Sequence, residues 1–295
     1  MTGGKRPDVV RAAPGPDVTG EAQAAWLADA AESFRSNGVI VLRGAIPRPG
    51  IAAVAEALKG RALKGDVVDD RPFQPAPLRP RIPVVLEGPF ADPAVFAPPS
   101  ALALARSLLG EEIIVGEIGV VASRPGDGPH AARRAAISLF GGLDVERDVP
   151  PAAVTMLAPL GEVAPGAGFP EYWVGSHRAR DGATAVTAAP FQPAFEPGAV
   201  VMSDWRTLYR AGPNTSGATQ LAYYVSFQRK WLLSLSGSEY KPGLRLSAAT
   251  LKRLPQAYHP LVAWALHDNK TDDVSEFAHL WLGRVFKNLR AATGR

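Results

Sequence analysis

Apolar positions at helical spacing open the readable part of the chain. Trp26, Leu27, Ala30 and Phe34 recur along one face, and Asn37-Gly38 supplies a stop. This pattern predicts a helix from Glu21 to about Ser36. The run Gly38-Val39-Ile40-Val41-Leu42-Arg43 then reads as a short buried strand, and Ile51 to about Leu63 as a second amphipathic helix. Gly65 to Pro99 is proline-rich and irregular, with room for a lid or substrate loop. Pro99 to Leu109 reads as a helix ended by Gly110. From Ile113 onward the pattern turns to β. Ile113 to Ser123, Ala152 to Leu160, Gly198 to Ser203 and Thr219 to Gln228 are apolar, β-prone runs separated by Pro/Gly loops, as strands of a sandwich or barrel are.

The C-terminal region returns to helix, over about residues 247–291. Val274, Phe277, Trp281 and Val285 form a stripe between Asp272 and Arg290, with acids at its start and bases at its end, as the helix dipole favours. The first 20 residues are rich in Gly, Pro and charge and read as a flexible tail. Residues 21–295 then form a single domain. Helices flanking a central run of strands predict a mainly β fold, a jelly roll with helical buttresses.

Composition narrows the chemistry. The 295 residues are 46% hydrophobic and 20% charged, with a formal net charge of +4. No run approaches the roughly 18 apolar residues of a membrane span, and the N-terminus lacks the apolar segment of a secretory signal. The absence of cysteine removes disulfides, thiolate metal sites and a cysteine nucleophile. A cytoplasmic protein without membrane partners fits these features. Arg71, Arg79 and Arg81 lie in a proline-rich stretch without interleaved aromatics, so a solvated loop is expected there rather than a nucleic-acid surface. No phosphate loop, G-x-S-x-G elbow or HExxH helix is present.

Three segments, in order, carry a family resemblance. They are SFRSNGVIVLRGAI (Ser33 to Ile46), PPAAVTMLAPLGEVAPGAGFPEYWVGSHRA (Pro150 to Ala179) and GAVVMSDWRTLYRAGPNTSGATQLAYYVSFQRKW (Gly198 to Trp231). The first is like an opening helix and strand. The second resembles a strand, an acidic turn and a PGSHR signature with Val174 in place of the proline. The third resembles the strands carrying a distal metal ligand and a cosubstrate anchor. Together they make the chain similar to the phytanoyl-CoA dioxygenase family, which implies a double-stranded β-helix.

That family's chemistry needs two histidines and one carboxylate around ferrous iron, with positions left open for 2-oxoglutarate and oxygen. The resemblance places the first two ligands in PGDGPHAARRAAISLFGG. If His130 is the histidine, the carboxylate position is Ala132. If the segment is anchored on Leu139-Phe140, the triplet is Arg133-Arg134-Ala135. The distal histidine position is Tyr209, and the cosubstrate arginine falls at about Gln220, which lacks the bidentate charged contact of arginine. The resemblance therefore implies the fold with a degenerate triad, no metal and no cofactor. The expected activity is that of a metal-independent cyclase, isomerase or lyase in specialised metabolism. A noncatalytic metabolite-binding or partner-supporting protein is the alternative, and an oxygenase with unusual ligands a further one.

Candidate catalytic residues are Tyr209, as hydrogen-bond donor or general acid, His130, and Arg133 as replacement for the metal's charge. Candidate substrate contacts are Arg134, Gln220, Trp205, Arg206, Glu171 and Trp173. The remaining histidines are read otherwise: His177 in the VGSHR turn as turn structure, and His259, His267 and His279 as surface or core residues. The partner expected is a small-molecule substrate, with a carrier protein or partner enzyme as a possible addition.

Overall fold

The computed structural model describes residues 8–15, 18–59, 79–135, 143–163, 166–179, 189–194, 196–235 and 244–266. The helix expected over Asp272 to Arg290 lies outside them, as do His267, His279 and Arg71.

The main layer is a seven-stranded sheet in the order β1-β2-β7-β5-β9-β4-β3. Its strands are β1 (Val10–Ala12), β2 (Val39–Arg43), β3 (Arg81–Pro83), β4 (Ile113–Ser123), β5 (Ala153–Pro159), β7 (Val200–Asp204) and β9 (Gln220–Arg229). Every pairing is antiparallel except β1 with β2. The non-consecutive order means that sequence neighbours seldom pair, as a jelly roll requires.

A smaller layer covers one face. β6 (Pro170–Tyr172) pairs with β8 (Tyr209–Ala211), and single bridges extend the pair to Phe191 on one side and Arg133 on the other. The opposite face of the main sheet is covered by α1 (Gly20–Asn37), α2 (Arg48–Ala57), α3 (Pro93–Phe96) and α4 (Pro99–Leu109). Strand alternation sorts the side chains between these two faces. Ile40, Leu42, Val154, Met156, Val200, Met202, Val225 and Phe227 join the helix-side core with Phe34, Leu104 and Leu109.

The helix α1 ends where the sequence signals a stop. Gly38 sits at φ 71°, in the left-handed region, and its N–H caps the carbonyl of Phe34 at 2.7 Å. A side chain there would collide with His177, since a Cβ would lie 2.4 Å from its Nδ1.

β4 contains a bulge between Val115 and Glu117. Ile113 and Val115 face the helices, and so do Ile118 and Val120. The extra residue, Gly116, reverses the phase and turns Glu117 to the other face. Glycine leaves room there for the Gln228 side chain, since a Cβ at 116 would lie 2.1 Å from its Oε1 and displace it.

Two expectations need correction. Part of the segment read as a flexible tail is strand β1, tied down by an ion pair of Arg11 with Asp29 and by the Trp26 indole N–H donating to Ala12 O at 2.8 Å. Arg79 and Arg81 are not in a solvated loop. Arg79 is 9% exposed, pairs with Asp127 at 2.5 Å and donates to Gly212 O at 2.5 Å, while Arg81 opens β3. A buried guanidinium is tolerable when such partners surround it.

Candidate functional site

A cavity of about 150 Å³ lies between the main sheet and the smaller layer. Its floor is made by register. Glu117 on β4 is opposite Ser226 on β9, Ser226 is opposite Thr155 on β5, and Thr155 is opposite Ser203 on β7. One polar side chain from each of four adjacent strands thus falls in a single row, and all four line the cavity. The row is bonded within itself: Thr155 Oγ1 and Ser226 Oγ are 3.3 Å apart, and the Trp205 indole N–H donates to Thr155 Oγ1 at 2.9 Å.

The row ends in a charged cluster. Glu117 Oε1 accepts from the Tyr224 hydroxyl at 2.8 Å and from Arg81 Nη1 at 3.2 Å, and the Arg81 guanidinium lies 5.2 Å from the Tyr224 ring centre. Burial first, and the neighbouring Glu117 carboxylate second, raise the Tyr224 phenol above its usual range, so it stays protonated.

The roof is a second row. Arg133, Tyr209 and Tyr172 follow one another across the smaller layer, with Phe191 beyond. Arg133 and Tyr209 exchange both backbone hydrogen bonds at 2.9 Å. Their side chains meet as well, the guanidinium 5.5 Å from the Tyr209 ring centre. Tyr172 stands 6.3 Å from Tyr209, centre to centre. Burial first, then Tyr209, push the Tyr172 phenol upward, opposed by a side-chain hydrogen bond with Ser203.

The structure brings Tyr209, Arg133 and Trp205 to the cavity. It sets the other sequence candidates elsewhere. Pro170 and Tyr172 face inward, so Glu171 between them faces outward, where it accepts from Arg210 Nε at 2.6 Å. Arg210 in turn lies 5.6 Å from the ring centre of Trp173, itself 4% exposed. Arg134 donates to the carbonyls of Ser176 and Ala179, both at 3.0 Å, and so secures the VGSHR turn. Arg206 chelates Asp204 and donates to the carbonyls of Glu146 and Val149. Gln220 is opposite Ser123 at the far end of β9, outside the lining.

His130 is half-buried beside the cavity rather than in its wall. Burial lowers its pKa first, and the Arg79 and Arg133 charges lower it further against Asp127. It therefore stays neutral in a positive corner of the site. His177 is buried in the VGSHR turn, where its Nε2–H donates to Arg35 O at 3.0 Å.

Sequence reading missed Glu117, Tyr224, Arg81 and the hydroxyl row. The signal was present as polar residues at alternate positions of otherwise apolar strands: Ser203 on β7, Thr155 on β5, Tyr224 and Ser226 on β9, and Glu117 on β4.

The donor set around Tyr209 does not suit ferrous iron. Among the described residues no histidine lines the cavity, and the two lining carboxylates are engaged, Glu117 by Arg81 and Tyr224 and Asp204 by Arg206. Among the described residues no group of three His, Cys, Asp or Glu side chains is placed to hold a metal ion. Among them, too, no helix is long and apolar enough to cross a membrane.

Neither a protein-family profile nor any curated protein matches the sequence. Solved structures do match the fold. The non-heme alpha ketoglutarate dependent epimerase SnoN from nogalamycin biosynthesis superimposes with a TM-score of 0.57 at 18% identity, covering 74% of this chain and 91% of SnoN. AviO1 from Streptomyces viridochromogenes Tue57 gives 0.51 at 18% identity, covering 69% of this chain and 95% of AviO1. EvdMO1 gives 0.54 at 19% identity, covering 69% of this chain and 50% of EvdMO1. At such identities the likeness establishes architecture and nothing finer. The chain has the double-stranded β-helix fold of that α-ketoglutarate-dependent epimerase, the fold implied by its resemblance to the phytanoyl-CoA dioxygenase family.

Proposed function

We propose that this protein is a metal-independent enzyme of specialised, natural-product metabolism, a cyclase, isomerase or lyase acting on a small molecule in the cavity between the sheets. The observation that carries this reading is the pairing of Arg133 with Tyr209 at the position where the resemblance expects a metal ligand. A guanidinium and a phenol together replace what a Lewis acid does to a carbonyl. The phenol hydroxyl donates a hydrogen bond to the oxygen, and the guanidinium stabilises negative charge as it develops there. Steps of this kind are redox-neutral, so they need neither 2-oxoglutarate nor oxygen. The origin of SnoN in nogalamycin biosynthesis supports placing the chain in the same broad area of metabolism.

Purified protein exposed to ferrous iron under anaerobic conditions should retain no stoichiometric metal, and after admission of air it should form no succinate from 2-oxoglutarate. Tight iron binding would overturn the reading. In the native host, Tyr209→Phe should leave the protein folded and make the same intermediate accumulate as deletion does.

A second reading has its own support. Both described lining carboxylates are held by internal partners, and His130 stands off the wall, so among the described residues the cavity presents no free general base. A noncatalytic protein that binds a metabolite, or supports a partner enzyme or carrier protein, fits that arrangement. Binding that survives Tyr209→Phe, with no turnover in either form, would favour it.

A further inference from the structure

Charge bookkeeping around the cavity leaves one residue over. Three arginines line it. Arg79 is matched by Asp127 and Arg81 by Glu117. Among the described residues Arg133 has no carboxylate partner, and its Nη1 is buried without a hydrogen-bond acceptor. Its side chain contacts the face of Tyr209, which does not satisfy the Nη1 hydrogens. A guanidinium is a permanent cation with five donors in a planar fork, and carboxylate is the group that fork fits best.

The space itself is small. A cavity of about 150 Å³ is the size that accommodates a single benzene-like ring. Its walls are flat and aromatic, from Tyr209, Tyr172, Trp205 and Phe169, while its floor is the hydroxyl row. Aromatic walls accept a ring face, and the row of Ser203, Thr155 and Ser226 accepts ring hydroxyl or carbonyl groups.

We infer that the cavity binds a single six-membered ring bearing an anionic oxygen, a carboxylate or an ionised enol or phenol, which closes on the free edge of Arg133. The inference rests on the proposed role of the cavity and specifies its ligand class. A larger substrate enters with this ring first and leaves the rest of its structure outside.

The test is calorimetry on the full chain with simple ring probes. Benzoate and salicylate report the carboxylate form, and 4-nitrophenolate the ionised phenol. Benzamide and cyclohexanol are the neutral counterparts. Either anion class should bind at least tenfold tighter than the neutral rings, and whichever class does so identifies the group. Arg133→Met should abolish that preference while its thermal midpoint stays close to that of the wild type, because Met keeps an apolar contact with the Tyr209 ring where the guanidinium lay. A lowered midpoint with unchanged anion preference would overturn the inference and make Arg133 a structural residue. Neutral rings binding as tightly as anions would overturn the anion assignment while leaving the cavity as the binding site. No ring probe binding at all would overturn both.

Discussion

The pair Asp204–Arg206 connects the end of β7 to the turn that delivers Trp205 and Tyr209 to the cavity, so its loss should be felt in both stability and site. Asp204 is 2% exposed and Arg206 13%, with Nη2 and Oδ2 at 2.7 Å. Asp204 Oδ1 also accepts the backbone N–H of Arg206 at 2.8 Å, which closes the turn locally. Asp204→Asn keeps size and shape but removes the negative charge and sets an amide against the guanidinium. Arg206 would keep its two carbonyl acceptors, Glu146 at 2.7 Å and Val149 at 2.9 Å, yet would be left as a nearly buried cation without a counter-charge. Breaking a buried pair from one side costs about 3–5 kcal/mol. The retained carbonyl contacts place this case near the lower end, about 3 kcal/mol. Urea denaturation should show that loss for Asp204→Asn. The double variant Asp204→Asn/Arg206→Met should recover a large part of it, with a coupling of about 2 kcal/mol or more. A single-variant loss below about 1 kcal/mol, the range of exposed ion pairs, would refute the assignment of this pair as the brace of the site.

Two further outcomes follow from the VGSHR turn. His177 is held neutral, its pKa lowered chiefly by burial, so the unfolded chain takes up a proton before the folded one does. Its contribution is therefore complete above the unfolded value of about 6.5 and is lost as pH falls toward the folded value, at no more than about 1.4 kcal/mol per pH unit; urea midpoints at pH 7.5 and 5.5 should diverge less in His177→Gln than in the wild type. Gly38→Ala forces a left-handed residue to carry a Cβ 2.4 Å from His177 Nδ1 and 2.5 Å from Thr207 Oγ1, and should lower stability by about 2 kcal/mol or more in the same assay.

What the sequence disclosed follows from how each element is encoded. The helix-spaced stripe of Trp26, Leu27, Ala30 and Phe34 and the Gly38 stop became α1 (Gly20–Asn37), and the apolar runs became β4, β5, β7 and β9 within a residue or two. Long elements carry enough periodic positions to be recognised singly. β6 and β8 are three residues each and exist only because they pair with one another, so no local pattern announces them. The same is true of the site. Thr155, Ser203, Ser226 and Glu117 are scattered across more than a hundred positions and become a row only through strand register. Glu117 also needs the bulge at Gly116, because uninterrupted alternation would have sent it into the helix-side core. Arg79 and Arg81 differ from the sequence expectation for a related reason: their acidic partners, Asp127 and Glu117, are remote in sequence, so nothing nearby marks them as paired.

The two faces of the main sheet obey different rules. On the helix side the strands contribute almost only aliphatic and aromatic groups, and packing alone specifies them. On the cavity side each of the four strands places at least one hydroxyl or carboxylate. An apolar residue at Thr155 or Ser226 would complete the packing without needing any partner, since a buried hydroxyl contributes little net stability even when bonded and costs about 1–3 kcal/mol when it is not. Placing four such groups in register, then facing them with a guanidinium that lacks an acceptor, runs against stability at every position. Local departures of this kind are expected where a fold serves a ligand rather than itself. The departures here all point into one space, and they share a chemistry of oxygen recognition on the floor and anion recognition in the roof. Iron coordination requires something else, neutral imidazoles and an unpaired carboxylate. The chain thus has the jelly-roll architecture, and the polar groups lining its cavity are hydroxyls, internally paired carboxylates and a guanidinium, the features on which the proposed oxygen-binding, charge-stabilising role rests.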